Sequence, residues 1–200
     1  MAQVLPILAG VALALAGCGG DEAVHPIDGG ALDGALDGAP IDAGAIDSAS
    51  NLVLTSTAIT EGGAIPILYS CKGDNVSPPL AWTGATAPSW AVVLTDRSNN
   101  LVHAAIWDIP GAATGLPENI AKVAEPTDPA GSKQALAYDN QTRGYLGPCP
   151  PSVHTYEWKL YAVDAATLAG VTLQSTRTNV VAALTAHATA TATLTATFTP

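Results

Sequence analysis

Histidine and cysteine are the residues in this sequence whose side chains could bind a metal ion or act as a nucleophile. The chain has 4 His and 3 Cys, and no two histidines stand four residues apart. Cys71 and Cys149 also lack neighbouring ligand residues, so the spacing argues against a zinc site. A triad of Asp96, His103 and Ser77 can be drawn, but the chain has no Gly-x-Ser-x-Gly motif of a serine hydrolase. The sequence therefore indicates no metal, no other cofactor and no catalytic motif.

The residues around each histidine give a first prediction of its role. His103 stands in the apolar stretch Val102-His103-Ala104, and a histidine in an apolar strand is usually a core residue with satisfied ring nitrogens. His187 follows a helical pattern and is expected to be structural, whereas His25 falls in a polar tract and is assigned no role. The residue pattern alone therefore marks no histidine as a ligand-binding group.

The charge of the chain excludes one class of partner. Its 200 residues include 7 Lys and Arg against 17 Asp and Glu, a formal net charge of −10. So few cations cannot neutralise a run of phosphates, and we expect no nucleic acid as a partner. Seven of the acids lie at residues 19–50, where there is no Lys or Arg, so the acidity marks that tract and not a binding face.

The start of the chain has the composition of a bacterial export signal. Residues 4–16 are apolar apart from Pro6 and Gly10, a run too short for a permanent membrane-spanning helix. The run ends in Leu-Ala-Gly-Cys at 15–18, which resembles the lipobox whose cysteine is acylated. We therefore expect residues 1–18 to be a lipoprotein signal, with Cys18 holding the protein to a membrane of the bacterial cell envelope. The alternative is an ordinary cleaved signal peptide in which Cys18 has no role.

Residues 19–50 are predicted to form a disordered tether between this anchor and a folded domain. Asp recurs at positions 28, 33, 37, 42 and 47 among Gly, Ala and single Ile or Leu residues. Such a tract buries too little apolar surface to offset the entropy lost on ordering. Calcium binding is a minor alternative, because the Asp spacing is irregular and no Glu closes a twelve-residue loop.

Residues 51–200 are predicted to form one domain dominated by β-strands. Short apolar or alternating runs predict strands at residues 52–59, 65–69, 90–95, 101–109 and 156–163. Val180, Leu184 and His187 recur at helical spacing, with Asn179 as the expected N-cap, and alternating Thr predicts a last strand at 188–199. The polar stretch 121–143 is predicted to be a long loop, and loops of this length are often part of a site.

Several motifs of this domain occur in the order known from one protein family. The two most specific are Asn-Val-Ser-Pro-Pro-Leu at 75–80 and Gly-Pro-Cys-Pro-Pro at 147–151. The others are Leu-Thr-Asp at 94–96, Leu-Val-His at 101–103, Trp-Asp-Ile-Pro at 107–110 and His-Thr-Tyr at 154–156. Residues 52–198 thus resemble the phosphatidylethanolamine-binding protein family, in its bacterial Raf-kinase-inhibitor-like branch. The resemblance implies a large antiparallel sheet packed on a smaller sheet, with a C-terminal helix.

The resemblance also implies a small surface pocket that binds phosphoryl or similar anionic groups. The residues at its motif positions are Asp96, His103, Gly147, Pro148, His154 and Tyr156. In such a pocket imidazole N–H groups and backbone amides would donate hydrogen bonds to the anion, and Asp96 would favour the protonated imidazole. Affinity is then expected to rise as the pH falls toward about 6.5, the ordinary pKa of histidine.

The sequence departs from the family pattern at three places beside this pocket. Arg97-Ser98 follows Asp96 where the family commonly has Pro-Asp, so a second acid is missing. Ala104 stands where a Trp commonly follows the histidine, which removes an aromatic wall, and Thr155 replaces an Arg. These departures concern the choice of ligand more than the existence of the pocket.

Three functions are compatible with these residues. The leading one is a binding module for a phosphorylated or anionic small molecule, without turnover. The second, known elsewhere in the family, is inhibition of a protease or kinase-like protein partner, for which loop 121–143 is the candidate projecting segment. The third is a hydrolase using the same pocket, which would need a serine within reach of His103 or His154.

Cys71 and Cys149 are the two thiols that remain once Cys18 is lipidated. In an exported protein they are free to pair, and a bridge would tie the Asn-Val-Ser-Pro-Pro segment to the pocket loop. The alternative is two buried free thiols.

Replacing Cys18 with Ser is expected to move the protein from the membrane fraction to the soluble fraction, because the acyl chains are lost. Each methylene of such a chain contributes about 0.8 kcal/mol to membrane binding. Cell fractionation followed by immunoblotting measures the distribution. A Cys18→Ser protein that stays with the membrane would show that something else anchors it.

Overall fold

The computed structural model describes residues 51–200, which form two β-sheets, one 3-10 turn and one α-helix. The predicted signal at residues 1–18 and the predicted tether at 19–50 lie outside the described residues. No helix within residues 51–200 is long and apolar enough to cross a membrane. The elements in chain order are β1 (Val53–Thr55), β2 (Gly63–Ala64), the 3-10 turn (Ile67–Tyr69), β3 (Leu80–Thr83), β4 (Ser89–Asp96), β5 (Leu101–Pro110), β6 (Gly115–Leu116), β7 (Lys133–Gln134), β8 (His154–Val163), α1 (Arg177–His187) and β9 (Ala188–Phe198).

The two sheets have the sizes that the family resemblance implies. The large sheet has six strands in the order β2-β9-β8-β4-β5-β7, and the small sheet has three in the order β1-β3-β6. All pairs are antiparallel except β2 with β9, which is parallel. The predicted fold class is therefore confirmed: a large, mainly antiparallel sheet packs on a smaller one, with one helix near the C-terminus.

The large sheet is buried on both faces, which explains the nearly continuous apolar runs in its central strands. On one face Trp90, Leu94 and Trp158 pack with residues of the small sheet such as Trp82. On the other face Trp107 and Tyr161 pack with Val180 and Leu184 of α1. A chain with one Phe and one Met thus builds its core largely from tryptophan, tyrosine and aliphatic side chains.

The predictions for the central strands and the last strand were close, but those at the edges were not. Of the predicted strand at 52–59, only Val53–Thr55 pairs with a neighbour. The predicted strand at 65–69 is wrong, because Pro66 turns the chain into the 3-10 turn, in which the Tyr69 amide donates to the Pro66 carbonyl. Ile67 in this turn is 63% exposed, so its apolar character does not reflect burial in a sheet.

The helix begins earlier than its predicted cap. Thr176 is the N-cap, and its hydroxyl oxygen accepts a hydrogen bond from the Asn179 amide at 3.2 Å. Asn179 therefore lies inside the first turn, and its prediction as N-cap is wrong, because Thr176 already supplies the oxygen that this turn requires. Val180 and Leu184 are fully buried as predicted. His187 pairs with Asp164 at the helix end, with 3.1 Å between Nδ1 and Oδ1.

The loop predicted at 121–143 is irregular except for β7, and its two parts differ in exposure. The buried Gln134 amide donates to the Ala121 and Val123 carbonyls at 2.7 and 2.8 Å, which joins the two parts of the loop to each other. The Lys133 ammonium donates to the buried Asp108 carboxylate at 2.6 Å, which bonds the second part to the large sheet. Most residues from 121 to 131 are exposed.

Cys71 and Cys149 form a disulfide, with their Cα atoms 5.4 Å apart and a sequence separation of 78. Cys71 follows the 3-10 turn, and Cys149 lies in the irregular segment that leads to β8. The bridge therefore connects two segments that no sheet pairing holds together.

We expect the bridge to stabilise the domain by about 4 kcal/mol, because it closes a long loop in the unfolded chain. Denaturant unfolding of Cys18→Ser protein with and without reductant measures this difference. Thiol titration of the same protein, denatured without reductant, should find no free thiol. Two titrating thiols there would contradict the bridge.

Candidate functional site

A pocket of about 110 Å³ lies at one end of the large sheet. Because β4 runs antiparallel to both β5 and β8, the end of β4 and the starts of β5 and β8 meet at this edge. The pocket contains one carboxylate, two imidazoles and two phenols, and no Lys or Arg is among its lining residues. These are Asp96, Asn99, Leu101, His103, Tyr138, Cys149, Pro150, Pro151, His154 and Tyr156.

A buried carboxylate–imidazole pair forms the floor of the pocket. Asp96, the last residue of β4, is 2% exposed, and its Oδ2 lies 2.6 Å from His154 Nδ1 at the start of β8. Its Oδ1 accepts the Ser98 amide at 2.9 Å. Since a carboxylate only accepts, Nδ1 of His154 carries the proton, and its other ring nitrogen is left for a ligand.

His103 lies at a β-bulge on the same face of the sheet as this pair. Thr95 pairs with Val102, but Leu94 pairs with Ala104, so His103 is an extra residue between two pairs. Leu101 pairs with Asp96, and because side chains alternate along a strand, His103 lies on the same face as Leu101 and Asp96. The bulge brings the next residue, Ala104, to that face as well, where it pairs with Leu94.

The ring of His103 is held by the backbone and by two tyrosines. Its Nδ1 lies 3.0 Å from the Leu146 carbonyl oxygen. The ring centroid lies 4.4 Å from that of Tyr138 and 5.3 Å from that of Tyr156. Burial lowers the pKa of His103; the Leu146 and Gly147 carbonyls and the Asp96 charge oppose this effect, and the Arg177 charge adds to it.

Tyr156 contributes a buried hydroxyl group without a partner. Its side chain is fully buried opposite Asp96 in the β4–β8 pairing, yet its Oη makes no hydrogen bond within residues 51–200. Burial raises the pKa of Tyr156, and the nearby Asp96 charge adds to the rise, although the two groups do not meet hydrogen-bond geometry. The phenol therefore keeps its proton and has a donor to offer.

The backbone of the pocket loop is tied to the segment that precedes β3. Asn75, whose φ of 57° is left-handed, accepts the Gly147 amide on its Oδ1 at 2.7 Å. The Cys71 amide donates to the Pro148 carbonyl at 3.0 Å, beside the disulfide. A Cβ on Gly147 would lie 2.1 Å from the Tyr69 carbonyl oxygen, so only glycine allows this approach.

The structure therefore brings together four of the six predicted site residues: Asp96, His103, His154 and Tyr156. Gly147 and Pro148 are not among the lining residues, because both face the segment before β3. The Gly147 amide is already bonded to Asn75 and has no free hydrogen to give to an anion. Pro150 and Pro151, two and three residues further on, line the pocket in their place.

Tyr138 is a wall of the pocket that the motifs did not indicate. It comes from the long loop, and its amide donates to the His103 carbonyl at 3.2 Å while its ring covers the imidazole. Ala104, where the family commonly has Trp, lines a separate cavity of about 40 Å³ between the two sheets. Position 104 therefore does not line the pocket in this protein, and an aromatic wall of the pocket comes from Tyr138 of the loop. Loop 121–143 was predicted to contribute to a site, but that prediction did not identify Tyr138.

Arg177, the first residue of α1, holds Tyr138 and the bulge together. Its guanidinium donates to the Val102 carbonyl at 2.9 Å, to the Leu136 carbonyl at 2.7 Å and to the Ala137 carbonyl. One side chain thereby bonds the strand that carries His103 and the loop that carries Tyr138.

The remaining sequence departures and Ser77 do not enter the pocket. Ser98 serves the turn after β4, where its hydroxyl oxygen accepts the Thr155 amide at 3.0 Å. Ser77 lines the cavity between the sheets and accepts the Ile120 amide at 2.9 Å, so it forms no triad with Asp96 and His103. Across residues 51–200 no group of three His, Cys, Asp or Glu side chains could hold a metal ion.

Replacing Arg177 with Met is expected to lower the free energy of unfolding by about 1–3 kcal/mol, because buried carbonyls lose their donor. The matched control is Arg97→Met, whose exposed guanidinium lies 3.9 Å from Glu157 and should change stability by less than about 0.5 kcal/mol. Urea unfolding measures both. Equal losses in the two variants would contradict the role assigned to Arg177.

Solved structures and relatives with similar sequences agree with this architecture. The structure of Escherichia coli YbcL, described as a member of the mammalian PEBP family, superposes with a TM-score of 0.66 at 27% identity, over 74% of this chain and 98% of YbcL. A phosphatidylethanolamine-binding protein homologue from Chlamydia trachomatis superposes with a TM-score of 0.63 at 26% identity, over 76% and 99% of the two chains.

Among curated proteins, the UPF0098 protein of Methanothermobacter thermautotrophicus is 43% identical over 117 residues, which cover 56% of this chain and 76% of the relative. The candidate lipoprotein LppC of Mycobacterium tuberculosis is 34% identical over 126 residues, 60% of this chain and 59% of LppC. The family model described as phosphatidylethanolamine-binding protein matches residues 55–199. With the two-sheet fold and these matches, the chain belongs to the phosphatidylethanolamine-binding protein family.

Proposed function

We propose that this protein is a membrane-anchored binding module whose pocket takes a phosphoryl or similar anionic group without turning it over. The observation that carries the proposal is the Tyr156 hydroxyl, a buried donor beside the pocket that has no hydrogen-bond partner among residues 51–200. An unpaired buried polar group costs about 1–3 kcal/mol, and an oxyanion in the pocket would relieve that cost.

His154 supports the same ligand class. Its Nδ1 is occupied by Asp96, so when the ring is protonated the second nitrogen donates a charge-assisted hydrogen bond. The Asp96 carboxylate compensates the charge of that imidazolium in a partly buried place. Tyr156 and His154 thus supply two donors, while Pro150 and Pro151 shape the opposite wall.

The residues of the pocket favour binding over hydrolysis. A carboxylate that orients an imidazole is also found in hydrolases, but there the imidazole activates a nucleophile. No serine lines this pocket, and the sulfur of Cys149 is held in the disulfide.

The membrane anchor rests on the sequence and on a relative. The lipobox-like residues 15–18 precede the tract that leads to the domain. LppC, which matches the domain at 34% identity, is named as a candidate lipoprotein. We propose the bacterial cell envelope as the location, with the pocket displayed from the membrane by residues 19–50.

Replacing Tyr156 with Phe is expected to weaken binding of inorganic phosphate by about 1.5–3 kcal/mol, because a donor to the anion is lost. The same change should leave the free energy of unfolding unchanged or raise it by about 1 kcal/mol, because the free protein no longer buries an unpaired hydroxyl. Calorimetric titration and urea unfolding of the full chain measure the two effects. Unchanged affinity would mean that the phenol does not face the ligand.

His154→Ala should weaken phosphate binding by a similar amount, since it removes the second donor. His187→Ala is the matched control, because His187 also pairs with an aspartate, Asp164, but lies outside the pocket. We expect that control to change affinity by less than about 0.5 kcal/mol. Absence of any phosphate binding by the unmodified protein would overturn the proposed function.

A further inference from the structure

The hydrogen bond of His103 determines which of its two ring nitrogens carries the proton when the ring is neutral. The Leu146 carbonyl can only accept, so Nδ1, at 3.0 Å, is the nitrogen that carries the hydrogen. The ring lines the pocket, and its Nδ1 is occupied by Leu146, which leaves Nε2 as the nitrogen available to a ligand. In the neutral ring this nitrogen is an acceptor.

The surroundings keep the ring of His103 neutral at neutral pH. Burial lowers its pKa, and this effect exceeds the opposing contributions. The charged and titratable groups that face the ring come from every element around it: Asp96 on β4, Tyr156 and His154 on β8, Tyr138 and Asp139 in the long loop, and Arg177 on α1. His103 is therefore treated in this inference as an acceptor, in place of the donor role that the resemblance implies.

The pocket then presents two kinds of partner to a ligand. The Tyr156 hydroxyl is a donor and His103 Nε2 is an acceptor, with the Asp96 carboxylate nearby. A sulfate or sulfonate offers only acceptors at this pH, so it would leave Nε2 unpaired. A phosphoryl group that keeps one proton offers both acceptors and one donor, and it carries only one negative charge near Asp96.

We infer that His103 makes the pocket selective for oxyanions that retain a proton, such as phosphomonoester or phosphonate monoanions, over oxyanions of the same shape and charge that have none. This inference rests on the proposed function and narrows its ligand class. Phosphodiesters, which include the headgroups of common phospholipids, have no such proton and fall in the disfavoured group unless another part of the ligand donates.

Methylphosphonate and methanesulfonate are the matched probes, because near pH 6 both are monoanions of nearly the same shape and only the first has an O–H group. Calorimetric titration of the full chain is expected to show methylphosphonate binding about tenfold more tightly, the effect of leaving a buried acceptor unpaired. Dimethyl phosphate, a monoanionic diester, should bind like methanesulfonate. Tight binding of the diester would instead point to a lipid headgroup as the natural source.

The preference should depend on pH in a defined way. As the pH falls through the lowered pKa of His103, Nε2 gains a proton, becomes a donor and loses the preference for methylphosphonate. As the pH rises, methylphosphonate loses its proton and the preference again declines. The affinity ratio of the two probes is therefore expected to pass through a maximum.

His103→Asn is the matched variant, because the Asn amide can replace Nδ1 as donor to the Leu146 carbonyl but does not reach the place of Nε2. It should lower the methylphosphonate affinity to that of methanesulfonate and leave the methanesulfonate affinity nearly unchanged. The tautomer of the unmodified protein can be measured directly from the nitrogen chemical shifts of its imidazoles, which does not depend on the variant folding.

Three possible results distinguish failure of this inference from failure of the proposed function. Equal or tighter binding of methanesulfonate at pH 6, or a His103 ring protonated at Nε2, overturns the inference and leaves the proposed anion pocket intact. Binding of neither probe overturns both. A tenfold preference that disappears in His103→Asn supports both.

Discussion

The irregular segment at 145–151 has no sheet or helix to position it, so the pocket depends on the bonds that join this segment to residues 69–75. The Cys71–Cys149 disulfide, the Asn75–Gly147 hydrogen bond and the Tyr145 hydroxyl bonded to the Tyr69 carbonyl at 2.6 Å act within a few residues of each other. Together they fix the carbonyl of Leu146 and the rings of Pro150 and Pro151. The Leu146 carbonyl in turn selects the tautomer of His103. Under the proposed function, a contact that does not touch the ligand thus sets the hydrogen-bonding role of His103.

The proposed binding of an anion depends on the same few groups, since no Lys or Arg is among the residues that line the pocket. The charge nearest to a ligand would be that of a pair, Asp96 with His154, whose sum depends on one proton. Tyr156 adds a donor that burial keeps protonated. Under the proposed function, recognition would depend on hydrogen-bond direction more than on net charge. The formal charge of the domain is small, with ten acids and seven bases at residues 51–200.

How much the sequence predicts differs between the fold and the site. Alternation in β8 and the apolar runs of β4 and β5 are local patterns, and their strands were predicted within two residues. The 3-10 turn at Ile67–Tyr69 was missed because an exposed isoleucine looks like a buried one in sequence. The resemblance located Asp96, His103, His154 and Tyr156, but the roles of Gly147 and Tyr138 depend on partners 72 and 35 residues away. The orientation of His103 depends on cross-strand register, which no local pattern encodes.

Because of the bulge at His103, a small change in sequence could alter the pocket and leave the fold unchanged. Loss of a single residue such as Val102 would bring β5 into regular register with β4 and would set His103 opposite Thr95, on the face that α1 covers. The sheet would keep its pairing partners, while the pocket would lose the imidazole of His103. A protein descended from such a chain could keep the fold and lose ligand binding through this single deletion. Sequence comparison would register that step as nothing more than a one-residue gap.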